Sequence, residues 1–292
     1  MSKTGKIAII SLTFRIATVN EEGKVADSMA DPKVCVALDG TTVEEMTDEA
    51  ARANLAGADM VEVRFDRLYL IKPDPTISDE EEGEKVEVAP ENEWDTSEMS
   101  AVDVDASIAS LKEGLPLPVI FTVRPVSEGG FFPGIESERI EILNKAIQSN
   151  VSWIDLELSI ADSDRKKLQE SAKKNGCKII ASKHDINGVP DAETIANLVR
   201  ENQESGDIVK FCGSAHNHAD ALQIIEAATE LSGEGLNHSL MAVNGGGDWP
   251  RLHAPMLDQS LVYATMKNEF RISDKGLINI RDLRDAWALL EY

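Results

Sequence analysis

Eight short apolar runs, each followed by a stretch with helical spacing, constrain this chain more than any other feature. The runs are 34–38 (VCVAL), 59–65 (DMVEVRF), 118–124 (PVIFTVR), 152–157 (SWIDLE), 177–182 (CKIIAS), 207–212 (DIVKFC), 239–243 (SLMAV) and 260–264 (SLVYA). Helices are expected near 43–56, 105–113, 136–149, 162–175, 191–204 and 217–231, with a short one after 248 and another at 281–290. Asp162, Asp191 and Asn217 stand where a side chain would cap a helix start, and Gly57, Gly176 and Gly206 where a left-handed residue would end one. Eight strand–helix units in about 260 residues point to an α/β protein folded as one closed (β/α)8 TIM-type barrel. An open doubly wound sheet is the alternative. It would normally carry a glycine-rich phosphate turn after the first strand, and Ala37-Leu38-Asp39-Gly40-Thr41 is not one.

Two segments lie outside this rhythm. Residues 1–30 contain Ile7–Leu12 and Ile16–Val19, read as a β-hairpin that closes the barrel bottom, which leaves 31–292 as the catalytic barrel. Residues 72–105 interrupt the second unit with prolines, acids and little apolar content, and read as a mobile surface insert. That insert carries −11 of the formal net charge of −23. The acidic balance argues against nucleic acid and anionic membrane as partners. A surface adapted to high internal salt would also be acidic, but the 17 lysines speak against it. No apolar run reaches the ~18 residues of a membrane span, and the start of the chain lacks a signal-peptide pattern. Cys35, Cys177 and Cys212 are odd in number and far apart, as reduced core thiols would be. A cytoplasmic location follows as an expectation.

In a barrel, chemistry gathers where strands end. Lys210 sits on an apolar run where an unpaired ammonium would be costly to bury, and the preceding run delivers His184. An amine beside a proton shuttle suggests imine chemistry on a carbonyl, unless Lys210 is an exposed residue of a strand placed wrongly. Glu62 and Arg64 share one strand face, Arg124 ends the third strand with Glu128 just beyond it, and Arg251 follows the seventh. Cations at several strand ends suit an anionic substrate, and would favour the neutral amine of Lys210. Blander roles stand beside these. Glu62 and Arg64 could be a structural ion pair, and Asp155 with Glu157 could tie down the fourth strand end. His216 and His218 have metal-like spacing without a third ligand, and no metal is expected. Gly245–Gly247 could cradle a phosphate but lacks a P-loop lysine, and His238 and His253 have no distinguishing context.

Six segments, in order, are similar to those of the type I 3-dehydroquinate dehydratase family: 56–66 (AGADMVEVRFD), 121–124 (FTVR), 128–130 (EGG), 154–157 (IDLE), 182–185 (SKHD) and 207–210 (DIVK). The resemblance runs from about residue 32 to the C-terminus and leaves the acidic insert outside. It implies a cytoplasmic lyase of the shikimate pathway, in aromatic amino-acid biosynthesis, that converts 3-dehydroquinate to 3-dehydroshikimate through a Schiff base and needs no cofactor. It implies that Lys210 forms the imine, His184 moves protons and Glu128 orients His184. Glu62, Arg64, Arg124, Arg251 and Ser273 would bind substrate, and a homodimer is the assembly considered.

Three positions depart from the family pattern. Ala242-Val243-Asn244-Gly245 replaces a usual Ser-Met-Gly, Leu277 stands where a lid glutamine would touch substrate, and Lys183 stands where an aromatic residue is common, its side chain expected to point away from the pocket. The competing readings are another Schiff-base lyase of the aldolase kind, and a sensor of dehydroquinate or quinate without turnover.

Overall fold

The structure is a computed structural model that describes residues 30–80, 83–87, 89–267 and 276–292. Eight parallel strands alternate with eight helices. They are β1 (Lys33–Ala37), α1 (Val43–Leu55), β2 (Met60–Arg64), α2 (Val104–Gly114), β3 (Val119–Thr122), α3 (Glu136–Gln148), β4 (Trp153–Glu157) and α4 (Asp162–Asn175). Then follow β5 (Lys178–Asp185), α5 (Ala192–Glu201), β6 (Ile208–Ala215), α6 (His218–Leu231), β7 (His238–Asn244), α7 (Asp248–Leu252), β8 (Leu261–Ala264) and α8 (Ile280–Leu289). Neighbours in the sheet run β7-β6-β5-β4-β3-β2-β1-β8, the order of a (β/α)8 barrel. All eight expected strands and helices are present. The expected hairpin in residues 1–30 lies almost wholly outside the described residues.

Strand side chains alternate between two environments, and each selects its residue type. On β2, Val61 and Val63 face outward and pack with Met46 and Ala50 of α1 and with Ile108 and Leu111 of α2. The inward positions begin apolar: Cys35, Met60, Ile120, Ile180, Ile208 and Leu261 form a floor across the barrel. Two residues further along, the inward series turns polar with Glu62, Thr122, Ser182 and Lys210, all buried. Burying each large floor side chain is worth roughly 1.5–3 kcal/mol, which offsets the cost of the polar layer above.

One joint of the barrel is built differently. β1 closes onto β8 by a regular ladder from Lys33↔Leu261 to Val36↔Ala264, whereas β7 and β8 stand at the two ends of the sheet order. Ser260 N donates to His238 O at 2.9 Å, and side chains supply much of the rest. Ser239 Oγ donates to Leu261 O at 2.7 Å. The Gln259 amide takes Leu240 N at 2.7 Å and returns a bond to Leu240 O at 3.2 Å. His238 stays local too, its ring nitrogens bonding the carbonyls of Leu236 and Leu257.

The caps hold with two corrections. Asp191 and Asn217 cap α5 and α6 with their side chains. Asp162 instead lies inside the first turn of α4, whose N-cap is Ala161. Gly57 and Gly176 are left-handed stops at φ 92° and 68°. Gly206 is extended (φ −169°), and glycine is needed there because a Cβ would sit 2.9 Å from Ile179 O.

The acidic insert is more ordered than its composition suggests. Leu70–Ile71 pairs antiparallel with Asp95–Thr96, and Thr76–Glu80 pairs with Gly83–Glu87. Arg67 joins Glu91 at 3.0 Å, Met99 and Val102 pack against the main core, and Asp103 caps α2. Composition hid these anchors because each rests on a single residue. No described helix is long and apolar enough to cross a membrane.

Candidate active site

The polar layer opens at the C-terminal ends of the strands into a cavity of about 350 Å³. Seven of the eight expected site residues line it: Glu62, Arg64, Arg124, Glu128, His184, Lys210 and Arg251. Ser273 lies outside the described residues.

Lys210 is only 3% exposed, so it is an interior residue and the exposed-strand reading is excluded. Its surroundings differ from expectation. The nearest groups to Nζ are the Tyr263 hydroxyl at 3.0 Å, Asp155 Oδ2 at 3.4 Å and Glu62 Oε1 at 3.5 Å, and the arginines stand behind them. Tyr263 also offers its ring face, with Nζ 4.2 Å from the centroid.

His184 is held by Glu128. The carboxylate accepts the His184 backbone N–H at 2.9 Å and lies 3.2 Å from Nδ1, while Ser159 Oγ donates to its other oxygen at 2.6 Å. Glu128 taking the Nδ1 hydrogen leaves the Nε2 lone pair free as a base. Burial, then the positive fields of Arg124, Lys210 and Arg64, push the imidazole well below its ordinary range. The ring is therefore held in its neutral form, the form a base must start from.

Arg124 is an electrostatic hub. It donates to Glu157 at 2.8 Å, to Asp155 at 3.1 Å and to Ser182 at 3.1 Å, and Glu62 lies 3.8 Å away. Burial pushes Asp155 up, but Arg124 and Lys210 outweigh it and hold the carboxyl below the usual range. Ser182 donates a further bond to Asp155. Glu157 continues the network to Arg139 of α3, so it ties the barrel to that helix.

Arg64 keeps a different partner from Glu62. Asp66 grips it with two bonds of 2.9 and 2.7 Å, and is itself fixed by the backbone N–H groups of Arg124 and Phe131. Glu62 accepts from Thr122 at 2.8 Å. The pair is thus split between two tasks.

Arg251 reaches the cavity from the β7–β8 joint. Nε donates to Tyr263 O at 3.0 Å and Nη1 to Ala242 O at 2.6 Å, with Gly247 O also in contact. Gly247 is required because a Cβ would meet Ala242 O at 2.6 Å, so the glycine run serves a tight fold-back against Arg251. Leu277 lines the cavity and Lys183 points to solvent. His216 bonds the Asn187 carbonyl at 2.8 Å and His218 lies against Trp249 with the rings tilted. Among the described residues no cluster of three or more His, Cys, Asp or Glu is arranged for a metal.

Tyr263, Asp66, Thr122 and Ser182 were missed as site residues. Three share inward parity with a residue that was found or with the floor: Tyr263 with Leu261, Thr122 with Arg124 and Ser182 with His184. Counting by two would have marked those three, whereas Asp66 lies in the 3-10 turn after β2, where alternation does not apply.

Comparison with known proteins agrees with this geometry. The sequence model of the family described as type I 3-dehydroquinase matches residues 34–292. The 3-dehydroquinate dehydratase of Methanothermobacter thermautotrophicus is 30% identical over 236 residues, covering 80% of this chain and 87% of that protein. Its counterpart from Haloquadratum walsbyi is also 30% identical, covering 82% of this chain and 87% of its own. Among solved structures, the type I 3-dehydroquinate dehydratase of Clostridium difficile superposes with a TM-score of 0.72 at 24% identity, covering 90% of this chain and 94% of that one. The 3-dehydroquinate dehydratase of Geobacillus kaustophilus gives 0.72 at 21% identity, over 89% and 91% of the two chains. At these identities the structures speak for the fold.

Proposed function

The chain belongs to the type I 3-dehydroquinase family, and from that premise we propose how its own residues remove water from 3-dehydroquinate to give 3-dehydroshikimate. It is a hydro-lyase of the shikimate pathway. The observation that carries the residue assignment is that Lys210 and the His184–Glu128 pair line one cavity.

Lys210 Nζ attacks the C3 ketone, and the oxygen departs as water to leave a protonated imine. That cation is a far better electron sink than the ketone. His184 Nε2 then removes a C2 proton, with Glu128 stabilising the imidazolium. The enamine expels the β-hydroxyl, which takes the proton back from His184 as water, and hydrolysis of the imine frees the product and Lys210. Arg64, held flat by Asp66, and Arg251 are the cations available to the anionic substrate.

The same reading puts the enzyme in the cytoplasm, where Cys35, Cys177 and Cys212 stay unbridged. A homodimer is the assembly to test by light scattering. Turnover is tested by ultraviolet absorbance of the conjugated enone product after adding 3-dehydroquinate. Absorbance rises with the intact chain and stays flat with Lys210→Ala. A flat trace from folded wild-type protein would transfer the site to a sensor or to a different carbonyl substrate.

A further inference from the structure

The reaction as drawn leaves Lys210 with a problem of protons, and the fold puts a phenol at the place where it arises. Only a free amine attacks a carbonyl, yet Nζ is ion-paired with Glu62 and Asp155. We propose that Tyr263 relays a proton from Lys210 to Glu62 and back to the departing oxygen during imine formation. This rests on Lys210 being the imine-forming residue.

Three observations carry it. The Tyr263 hydroxyl is the shortest polar contact of Nζ, at 3.0 Å, and its other reach is Glu62 Oε1 at 3.5 Å. The longer distance is ordinary for a catalytic contact in a site without substrate. Second, Asp155 is the poorer acceptor, because its oxygens already take hydrogens from Arg124 and Ser182. Third, the ring is immobilised: Tyr263 is 6% exposed, its carbonyl is held by Arg251, and β8 is paired with β1 along its length. Hydroxyl and amine therefore keep their separation without help from substrate.

The hydrogens balance. The ammonium brings three, the protonated imine keeps one, and the ketone oxygen leaves as water with the other two. One of those two waits on Glu62 after passing through Tyr263, and returns through Tyr263 to the C3 oxygen once nitrogen has bonded to C3. The other moves from nitrogen to oxygen in the carbinolamine. No oxidant or metal is needed.

The charged and titratable groups that face this phenol are Lys210 on β6, Glu62 on β2, Cys35 on β1, Asp155 on β4 and Arg124 beyond β3. Burial, then Glu62, Cys35 and Asp155, raise the phenol well above its ordinary range, with Arg124 opposing. The hydroxyl keeps its hydrogen throughout the working range, as a relay requires.

The test is the rate of adduct formation, followed by intact mass, when 3-dehydroquinate and cyanoborohydride are mixed with enzyme between pH 6 and 9. Tyr263→Phe keeps the ring under Nζ and removes the hydroxyl. It should trap about 10- to 100-fold more slowly at the acid end. The deficit should narrow as pH rises and hydroxide takes the proton from Nζ in place of the phenol. Equal rates across the range, or an equal loss at every pH, would overturn the relay. Should the Phe variant fail to fold, 3-fluorotyrosine at 263 keeps shape and hydroxyl. Its more acidic phenol should change the trapping rate at the acid end and leave the rate at pH 9 unchanged, and an unmoved acid-end rate counts against the proposal. No adduct from wild type would sink the imine reading itself, and the relay with it.

Discussion

Two arginines, each 2% exposed, stand at different joints of the same cavity and are satisfied in opposite ways. Arg124 faces carboxylates: Glu157, Asp155 and, further off, Glu62. Arg251 faces carbonyls, those of Tyr263, Ala242, Gly247 and Gly276. Burial lowers both guanidinium groups, but the carboxylates reverse this for Arg124, whereas Cys212 and Asp248 do not for Arg251. Dipoles solvate a charge without cancelling it. The Arg124 side is therefore electrically finished, and the Arg251 side holds a positive charge that a substrate carboxylate can complete.

The largest effect expected from breaking this contrast is on stability. Arg124→Met removes the cation that Asp155 and Glu157 share, leaving them Lys210 and Arg139, and should cost about 3–5 kcal/mol, read from urea unfolding. A loss under 1 kcal/mol would mean that the carboxylates find other partners. Arg251→Lys retains charge but gives up the planar fork. It should lower kcat/KM roughly 10- to 100-fold, mostly through KM, since a charge-assisted bond contributes about 1.5–3 kcal/mol. If kcat fell while KM held, Arg251 would act on the chemistry and not on the grip.

The smallest effect is a profile that should not move. His184 is depressed by burial, Arg124, Lys210 and Arg64, and Arg251 is not among its causes. A depressed midpoint means the neutral imidazole survives acidification past pH 6.5, the ordinary histidine value. The acid limb of kcat/KM should accordingly lie below pH 6.5 in wild type and stay there in Arg251→Lys. A limb at 6.5 or above would show that Glu128 dominates the histidine.

The strands and helices were legible because parallel barrel strands are nearly continuous apolar runs, and helices carry their own period. Lys210 was legible because an amine is out of place in such a run, and His184 and Glu128 because they follow strand ends and match the family segments. What stayed hidden depends on closure. The double duty of Arg251 cannot be read from sequence, since nothing in 242–251 says that β7 and β8 meet through side chains. Tyr263 was hidden by being aromatic among Leu261, Val262 and Ala264, where a ring reads as core. The anchors of the insert were hidden too: Arg67–Glu91, Met99 and Val102 fasten its base to the barrel, and composition carries no sign of them.

The β7–β8 joint gives the barrel the mechanics of a hoop closed by rivets. A laddered hoop shares load among many equivalent bonds. Beyond one backbone bond from Ser260 to His238, this one hangs on Ser239, Gln259 and Arg251, which differ in geometry. Arg251 is also the rivet whose head is open to the cavity. Because the same side chain fastens the ring and lines the cavity, a ligand that binds it only in the closed ring stabilises that closure by mass action.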